Sequence, residues 1–188
     1  MKIKFKEKRI LMDKEEIKKT IERLSSEIIK DNPDINSLFI IGIRKRGDIL
    51  AKRLAEVLKK KTNWEIEVGA IDITLYRDDL TKYGPKPIIG STYFPSPIEG
   101  KEVLLVDDVI FTGRTIRSAL DEIMDYGRPL RVKLAVMVDR PGRELPINPD
   151  YKGISIDLKE KEEVQVLLEE IDNEDVVKII EVSSNGSL

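Results

Sequence analysis

Two adjacent carboxylates, Asp107 and Asp108, follow the apolar run Val103-Leu104-Leu105-Val106, and Thr112-Gly113-Arg114-Thr115 stands just beyond them. Ionised carboxylates only accept hydrogen bonds, so the pair suits vicinal sugar hydroxyls, directly or through Mg²⁺. The threonines add hydroxyl donors, and Gly113 lets backbone approach a ligand closely. Ile116, Ala119, Leu120 and Ile123 then recur at helical spacing. A helix opening on that turn presents unpaired N–H groups and a positive dipole end, which suits a phosphate. Phosphate at one end and hydroxyls at the other describe a phosphorylated ribose. A plain strand–turn–helix joint, with Asp108 or Thr112 acting as a cap, is the competing explanation. The ordered string Val103–Thr115 favours the ligand site over it.

The elements that must hold these groups follow from patterning. Val103–Val106 reads as a short buried strand with the two aspartates where it ends. A second buried strand, Ser37–Gly42, leads into Arg44-Lys45-Arg46-Gly47 and then a helix from Asp48 to about Lys60. In parallel α/β sheets the ligand crevice lies at the carboxyl ends of the strands. Three consecutive cations at such an end suit a polyanion such as pyrophosphate. A third strand, Arg131–Val138, delivers Asp139 and Arg140 to the same edge. Glu65–Thr74 reads as a strand that leaves through Tyr76 and Arg77 into residues 81–100, rich in Pro and Gly. Long loops of this kind serve as lids. Arg77 could reach a phosphate on closure and Tyr76 could exclude water.

The remaining elements are an arm or edge strand over residues 2–12 and a helix capped by Asp13, with Glu16 completing a capping box and Asn32-Pro33 ending it. Val164–Leu168 and Val176–Val182 read as strands, with a helix the alternative for the former, and 183–188 as a disordered tail.

Composition removes whole classes of chemistry. The 188 residues include no cysteine and no histidine. Disulfides, thiolate catalysis, an imidazole base and histidine-ligated metals are therefore excluded. Hydrophobic residues make up 40% and charged residues 36%. With no apolar run of membrane-spanning length and no signal-peptide pattern, a cytoplasmic α/β domain without membrane contact is expected. The net charge of −2 is uneven: residues 1–30 carry +4 and residues 157–181 carry −7. Solvated surface charge is the reading preferred over a nucleic-acid surface.

The string Val106–Thr115 resembles the phosphoribosyl-pyrophosphate (PRPP) motif of the type I phosphoribosyltransferases. That resemblance implies a mostly parallel five-stranded sheet with flanking helices and a small hood over the base. Gly42–Gly47, Leu50–Ala55, Asp72–Asp79, Asp139-Arg140 and Arg143–Ile147 occur in the order found in the PyrR family, pyrimidine-operon attenuation regulators that are also uracil phosphoribosyltransferases. The resemblance spans roughly residues 8–182. It implies one phosphoribosyltransferase domain over 1–182, with a hood from the N-terminal arm and about 139–165. It implies the substrates PRPP and uracil, the products UMP and pyrophosphate, Mg²⁺, and a homo-oligomer. Asp107 and Asp108 would hold the ribose hydroxyls, and Thr112, Gly113, Arg114 and Thr115 its phosphate. Arg44, Lys45, Arg46 and Gly47 would hold pyrophosphate, often across a strained non-proline peptide. Asp107, Asp108 and Arg77 would be the catalytic set, Tyr76 and Arg77 the lid, and Asp139 and Arg140 part of the base site.

Departures fall in two places. Pro141-Gly142 replace the family's usual Gly-His, and Gly153–Leu158 replaces a usual Gly-Lys-Asn segment. Both belong to the hood, which keeps a phosphoribosyltransferase for another base open as an alternative. Among the positions that contact RNA in the family, Glu22, Ser26, Asn148 and Ile154 differ, while Arg143, Lys18, Lys19 and Arg23 remain cationic. A carboxylate facing a phosphate backbone repels it, and lost cations forfeit counterion release. RNA attenuation is expected to be weakened or lost while the transferase persists; a UMP-responsive RNA attenuator is the alternative.

Overall fold

The computed structural model describes residues 4–73 and 92–183. Strand β1 (Lys4–Met12) precedes helix α1 (Lys14–Asp31), strand β2 (Leu38–Ile43) and helix α2 (Arg46–Thr62). Then come β3 (Glu67–Ile71), β4 (Glu102–Ile110), α3 (Arg114–Tyr126), β5 (Arg131–Asp139), β6 (Tyr151–Ser155), β7 (Glu162–Leu167), the short α4 (Glu169–Asp172) and β8 (Val176–Ser183).

Five strands form a sheet in the order β3-β2-β4-β5-β6, and every neighbouring pair is parallel. A parallel sheet needs cover on both faces, which is why its strands read as unbroken apolar runs. Every residue of β2 is buried. Successive side chains alternate faces. Ile40, Leu104, Val106 and Met137 meet Ile17, Leu24 and Ile28 of α1 and Leu50, Leu54 and Leu58 of α2. Phe39, Ile41, Leu105 and Val136 on the other face meet Ile116, Ala119 and Ile123 of α3. The capping box at α1 forms as expected: the Glu16 N–H donates to Asp13 Oδ1 and the Asp13 N–H to Glu16 Oε2, both at 2.9 Å.

A smaller antiparallel sheet has the order β1-β8-β7. Strand β1 runs against β8 from Lys4↔Ser183 to Met12↔Val177. Met12, Val166 and Val177 continue the core that α1 and α2 cover.

Four expectations change. Strand β4 does not stop at the aspartates but runs through them to Ile110, because β5 stays paired with it up to Ile110↔Asp139. The ladder with β2 ends at Gly42↔Val106. Asp107 and Asp108 therefore lie on a strand that has lost one neighbour, and the crevice opens there. Strand β6, within the 139–165 stretch assigned to a hood, extends the parallel sheet, and β8 instead joins β1 and β7. Ser183, expected in a tail, ends β8, and 184–188 lie outside the described residues. Helix α2 starts at Arg46, so Arg46 and Gly47 form its first turn rather than a loop.

Candidate active site

Two helix N-termini open onto the carboxyl edge of the parallel sheet. Helix α1 has a full capping box, whereas the residues preceding α2 (Lys45) and α3 (Gly113) make no side-chain cap bond. Their first-turn N–H groups remain largely available to an anion. Gly113, at φ 92°, adopts the left-handed conformation that turns β4 into α3. One first-turn amide, that of Arg114, donates to Thr112 Oγ1 at 3.3 Å.

The start of α2 is set against β4 by glycine. A Cβ on Gly47 would lie 2.4 Å from the Val106 carbonyl oxygen and 3.1 Å from Asp107 Cα. A Cβ on Gly42 would meet Asp48 Cα at 2.3 Å. Only glycine permits this approach, and it sets the Arg44–Gly47 turn directly against the acidic pair. The Arg44 N–H donates to the Ile71 carbonyl at 2.9 Å, which ties the turn to the end of β3. The Arg44–Lys45 peptide is cis.

Asp107 is 6% exposed, and its Oδ1 accepts the Asp108 N–H at 2.9 Å. Asp108 Oδ1 accepts the Val109 N–H at 2.8 Å. Burial raises the Asp108 carboxyl above the usual range; the Asp107 hydrogen bond and the Arg46 charge oppose it without cancelling it. Asp48 is also raised by burial, against the charges of Arg44 and Lys52. A cleft of about 780 Å³ flanks the α2 turn, lined in part by Arg44, Lys45, Lys52 and Asp72.

Not every expected cation faces the crevice freely. Arg46 grips Asp172 of α4 at two points, Nη2–Oδ1 at 2.8 Å and Nε–Oδ2 at 3.1 Å. The Arg114 side chain donates to Glu144 at 2.6 Å, leaving backbone amides as its turn's contribution. Asp139 sits between Arg143 and Lys152, the latter at 3.0 Å. Burial pushes its carboxyl up, but those two cations outweigh it and hold it below the usual range. Arg140 lies over the Phe111 ring at 3.9 Å. Gly142, at φ 117°, packs so tightly that a Cβ would lie 2.3 Å from the same ring. The departure Pro141-Gly142 thus accommodates Phe111.

The cations expected to contact RNA divide. Arg143 donates to the carbonyls of Ile147 (2.8 Å), Phe111 (2.7 Å) and Arg140 (2.7 Å) and to Asp139. Its guanidinium organises its own loop, joining the turn after β4 to the end of β5. Arg23 is similarly engaged, with Glu27 at 2.6 Å and the β6 carbonyls of Lys152 (3.0 Å) and Gly153 (2.7 Å). Lys18 and Lys19 are exposed on α1, and Ser26 accepts from Lys61 at 3.0 Å. Tyr76 and Arg77 lie outside the described residues.

Sequence reasoning missed α4. Its acids belong to the stretch of net charge −7 that was assigned to solvated surface. They reach across the chain instead. Glu169 meets Lys14, Asp172 meets Arg46, and Arg53 forks to Glu170 (2.6 Å) and Asp175 (2.7 Å). The signal was the excess of acids over 157–181, which find partners in Lys14 of α1 and Arg46 and Arg53 of α2. Among the described residues no group of three acidic side chains could hold a metal, and no helix is long and apolar enough to cross a membrane.

A parallel five-stranded sheet with an acidic pair and two open helix ends at its carboxyl edge is the type I phosphoribosyltransferase fold. The phosphoribosyl transferase domain family matches residues 9–171. Bifunctional protein PyrR of Pelotomaculum thermopropionicum is 48% identical over 95% of this chain and 98% of its own. Bifunctional protein PyrR of Clostridium novyi is 44% identical over 93% and 98%. Among solved structures, hypoxanthine phosphoribosyl transferase of Trypanosoma cruzi superposes with a TM-score of 0.72 at 22% identity, covering 93% of this chain and 91% of its own, a likeness of fold. The chain belongs to the phosphoribosyltransferase family and, within it, to the PyrR proteins.

Proposed function

We propose that this protein transfers the phosphoribosyl group of PRPP to uracil, giving UMP and pyrophosphate. The observation that carries the proposal is the packing of Gly47 against Val106 and Asp107, which sets an uncapped, cation-rich helix start beside an acidic pair. The bond from the ribose anomeric carbon to pyrophosphate breaks as a bond to the uracil ring nitrogen forms. That nitrogen's proton leaves, and pyrophosphate departs with the bonding pair. Negative charge grows on the leaving group while the ribose becomes oxocarbenium-like. Fixed donors aimed at developing charge are the largest catalytic contribution in such sites.

In this reading Arg44, Lys45 and the Gly47 amide hold the pyrophosphate. Thr112, Thr115 and the amides of Gly113 and Arg114 hold the ribose phosphate, and Asp107 and Asp108 accept from the ribose hydroxyls. The carboxylates also stabilise positive charge on the sugar. Tyr76 and Arg77 are assigned to a lid, and the Asp139-Arg140 turn to one wall of the base site. The small antiparallel sheet takes the place of the hood. Magnesium fits as an ion carried mainly by substrate oxygens, since the residues offer two carboxylates and not a cage. Asp107 or Asp108 would complete its shell, and it would supply positive charge at the pyrophosphate. No histidine base is needed, because bond breaking to pyrophosphate leads the displacement. A cytoplasmic homo-oligomer is part of the same proposal.

The deciding experiment incubates the protein with PRPP, magnesium and, separately, uracil, orotate, hypoxanthine and xanthine, and follows pyrophosphate release. Uracil is expected to give nucleotide; turnover of another base alone would replace uracil in the assignment. The relatives' name, Bifunctional protein PyrR, supports a second activity, attenuation through RNA. The commitment of Arg143 and Arg23 to internal partners supports weak RNA binding here. A gel shift with a pyrimidine-operon leader RNA should show no tight complex with or without UMP. Submicromolar, UMP-enhanced binding would overturn that expectation.

A further inference from the structure

We infer that Asp172 is a positioning residue for PRPP, acting by fixing the Arg46 guanidinium at the start of α2. The inference rests on the transferase reading above. Arg46 is the first residue of α2, next to the Lys45 that precedes the helix and to the Gly47 that packs on Asp107. A two-point arginine–carboxylate fork fixes both distance and plane, which a single contact does not. Asp172 is itself immobilised. Its Oδ2 accepts the Leu168 N–H at 2.9 Å, and α4 is pinned to α2 a second time where Arg53 forks to Glu170 and Asp175.

The fork lies partly sheltered, with side-chain exposures of 32% for Arg46 and 18% for Asp172. The Arg46 charge reaches the other side as well, acting on Asp108 of β4. One guanidinium thus links the short helix between β7 and β8, the pyrophosphate turn and the acidic pair. Arg46 therefore shapes the binding turn and the field around Asp108, while Arg44 and Lys45 meet the ligand. Its anchor comes from a part of the chain far from both motifs.

The test is steady-state kinetics of the full chain with PRPP, magnesium and uracil for the unaltered protein, Asp172→Asn, Arg46→Gln and the double variant. A misplaced binding turn should raise KM for PRPP about tenfold in Asp172→Asn, with KM for uracil little changed. The double variant should be no worse than Arg46→Gln alone, the non-additivity of groups acting as one unit. A purely structural pair would lower the melting temperature and leave KM for PRPP unmoved, and that result overturns the inference. A lowered KM also overturns it, since Arg46 would then be a ligand group held in reserve. If Asp172→Asn does not fold, Asp172→Glu keeps the charge and moves it by one methylene; KM for PRPP must still rise. If the unaltered protein turns over no base, the transferase reading fails. Calorimetric PRPP affinity of the same variants then still decides on Asp172.

Discussion

Asp107 and Asp108 have unequal surroundings. Asp107 is buried and accepts its neighbour's amide, whereas burial of Asp108 raises its carboxyl and favours the neutral form. Only the ionised form accepts hydroxyls from a sugar at both oxygens. Asp107→Asn with Asp108→Asn should therefore cut kcat/KM for PRPP by about a hundredfold or more, on the scale of losing fixed charge at a reacting centre. Circular dichroism of the double variant should match the parent, and unchanged kinetics would reduce the pair to structural groups. Gly47→Ala probes the same place sterically. Its methyl would be driven into the Val106 carbonyl, so we expect a loss of about 1–3 kcal/mol, read from denaturant unfolding, and weaker PRPP binding. Both motifs were legible because their residue types are chemically constrained: glycine where backbones touch, and paired carboxylates interrupting an apolar run. The destination of individual cations was not. Arg46 and Arg143 read in sequence as contacts for pyrophosphate and RNA, and only three-dimensional pairing reveals what holds them.

Among the elements, β4 joins the site to its support. It was legible as an apolar run, but its length was not, since Asp107 and Asp108 interrupt hydrophobicity without interrupting hydrogen bonding to β5. The loop after β5 closes on the turn after β4: Glu144 and Leu145 amides donate to the Thr112 carbonyl at 2.9 and 3.1 Å, and Arg143 ties Phe111 to Asp139. Arg143→Gln leaves several carbonyls short of a donor, each lost bond being worth about 1 kcal/mol net. The expected outcome is a lower unfolding midpoint and a raised KM for PRPP, since the Thr112–Thr115 turn loses its backing. Strand β6 escaped the pattern because Tyr151-Lys152-Gly153-Ile154-Ser155 is short and mixed in character. It forms through pairing with β5 and through Gly153, whose missing side chain admits the Met137 carbonyl; a Cβ there would lie 2.3 Å from it.

The two sheets share the core covered by α1 and α2, and ion pairs from Lys14, Arg46 and Arg53 to residues 169–175 join them as well. At Asp172 and Asp175 burial raises the carboxyl, but the arginine partners and backbone donors outweigh it, so both lie below the usual range. Glu170 is lowered mainly by its bond to Arg53. Carboxyls depressed in the folded state stabilise it above their unfolded value of about 4, and that contribution is lost as pH falls through the folded value. Asp48 and Asp108 have the opposite sign, because raised carboxyls relieve strain on the fold as acid neutralises them. Acid should therefore loosen α4 and β7–β8 before the parallel sheet. Hydrogen exchange at pH 3 against pH 7 should show protection lost first in 162–183; uniform loss across both sheets would contradict this. The parallel sheet was readable from local apolar runs. The small sheet's partnership was not, because β1 and β8 lie at opposite ends of the sequence and neither codes for the other.

Pairing of Lys4 with Ser183 has a bearing on biosynthesis. Strand β1 is translated well before its ladder partner β8, and Arg46 and Arg53 well before the acids that answer them. A nascent chain can lay down the five-stranded sheet while β1 waits, so a stop codon ahead of Glu169 would strand that edge and leave both arginines without their counter-ions.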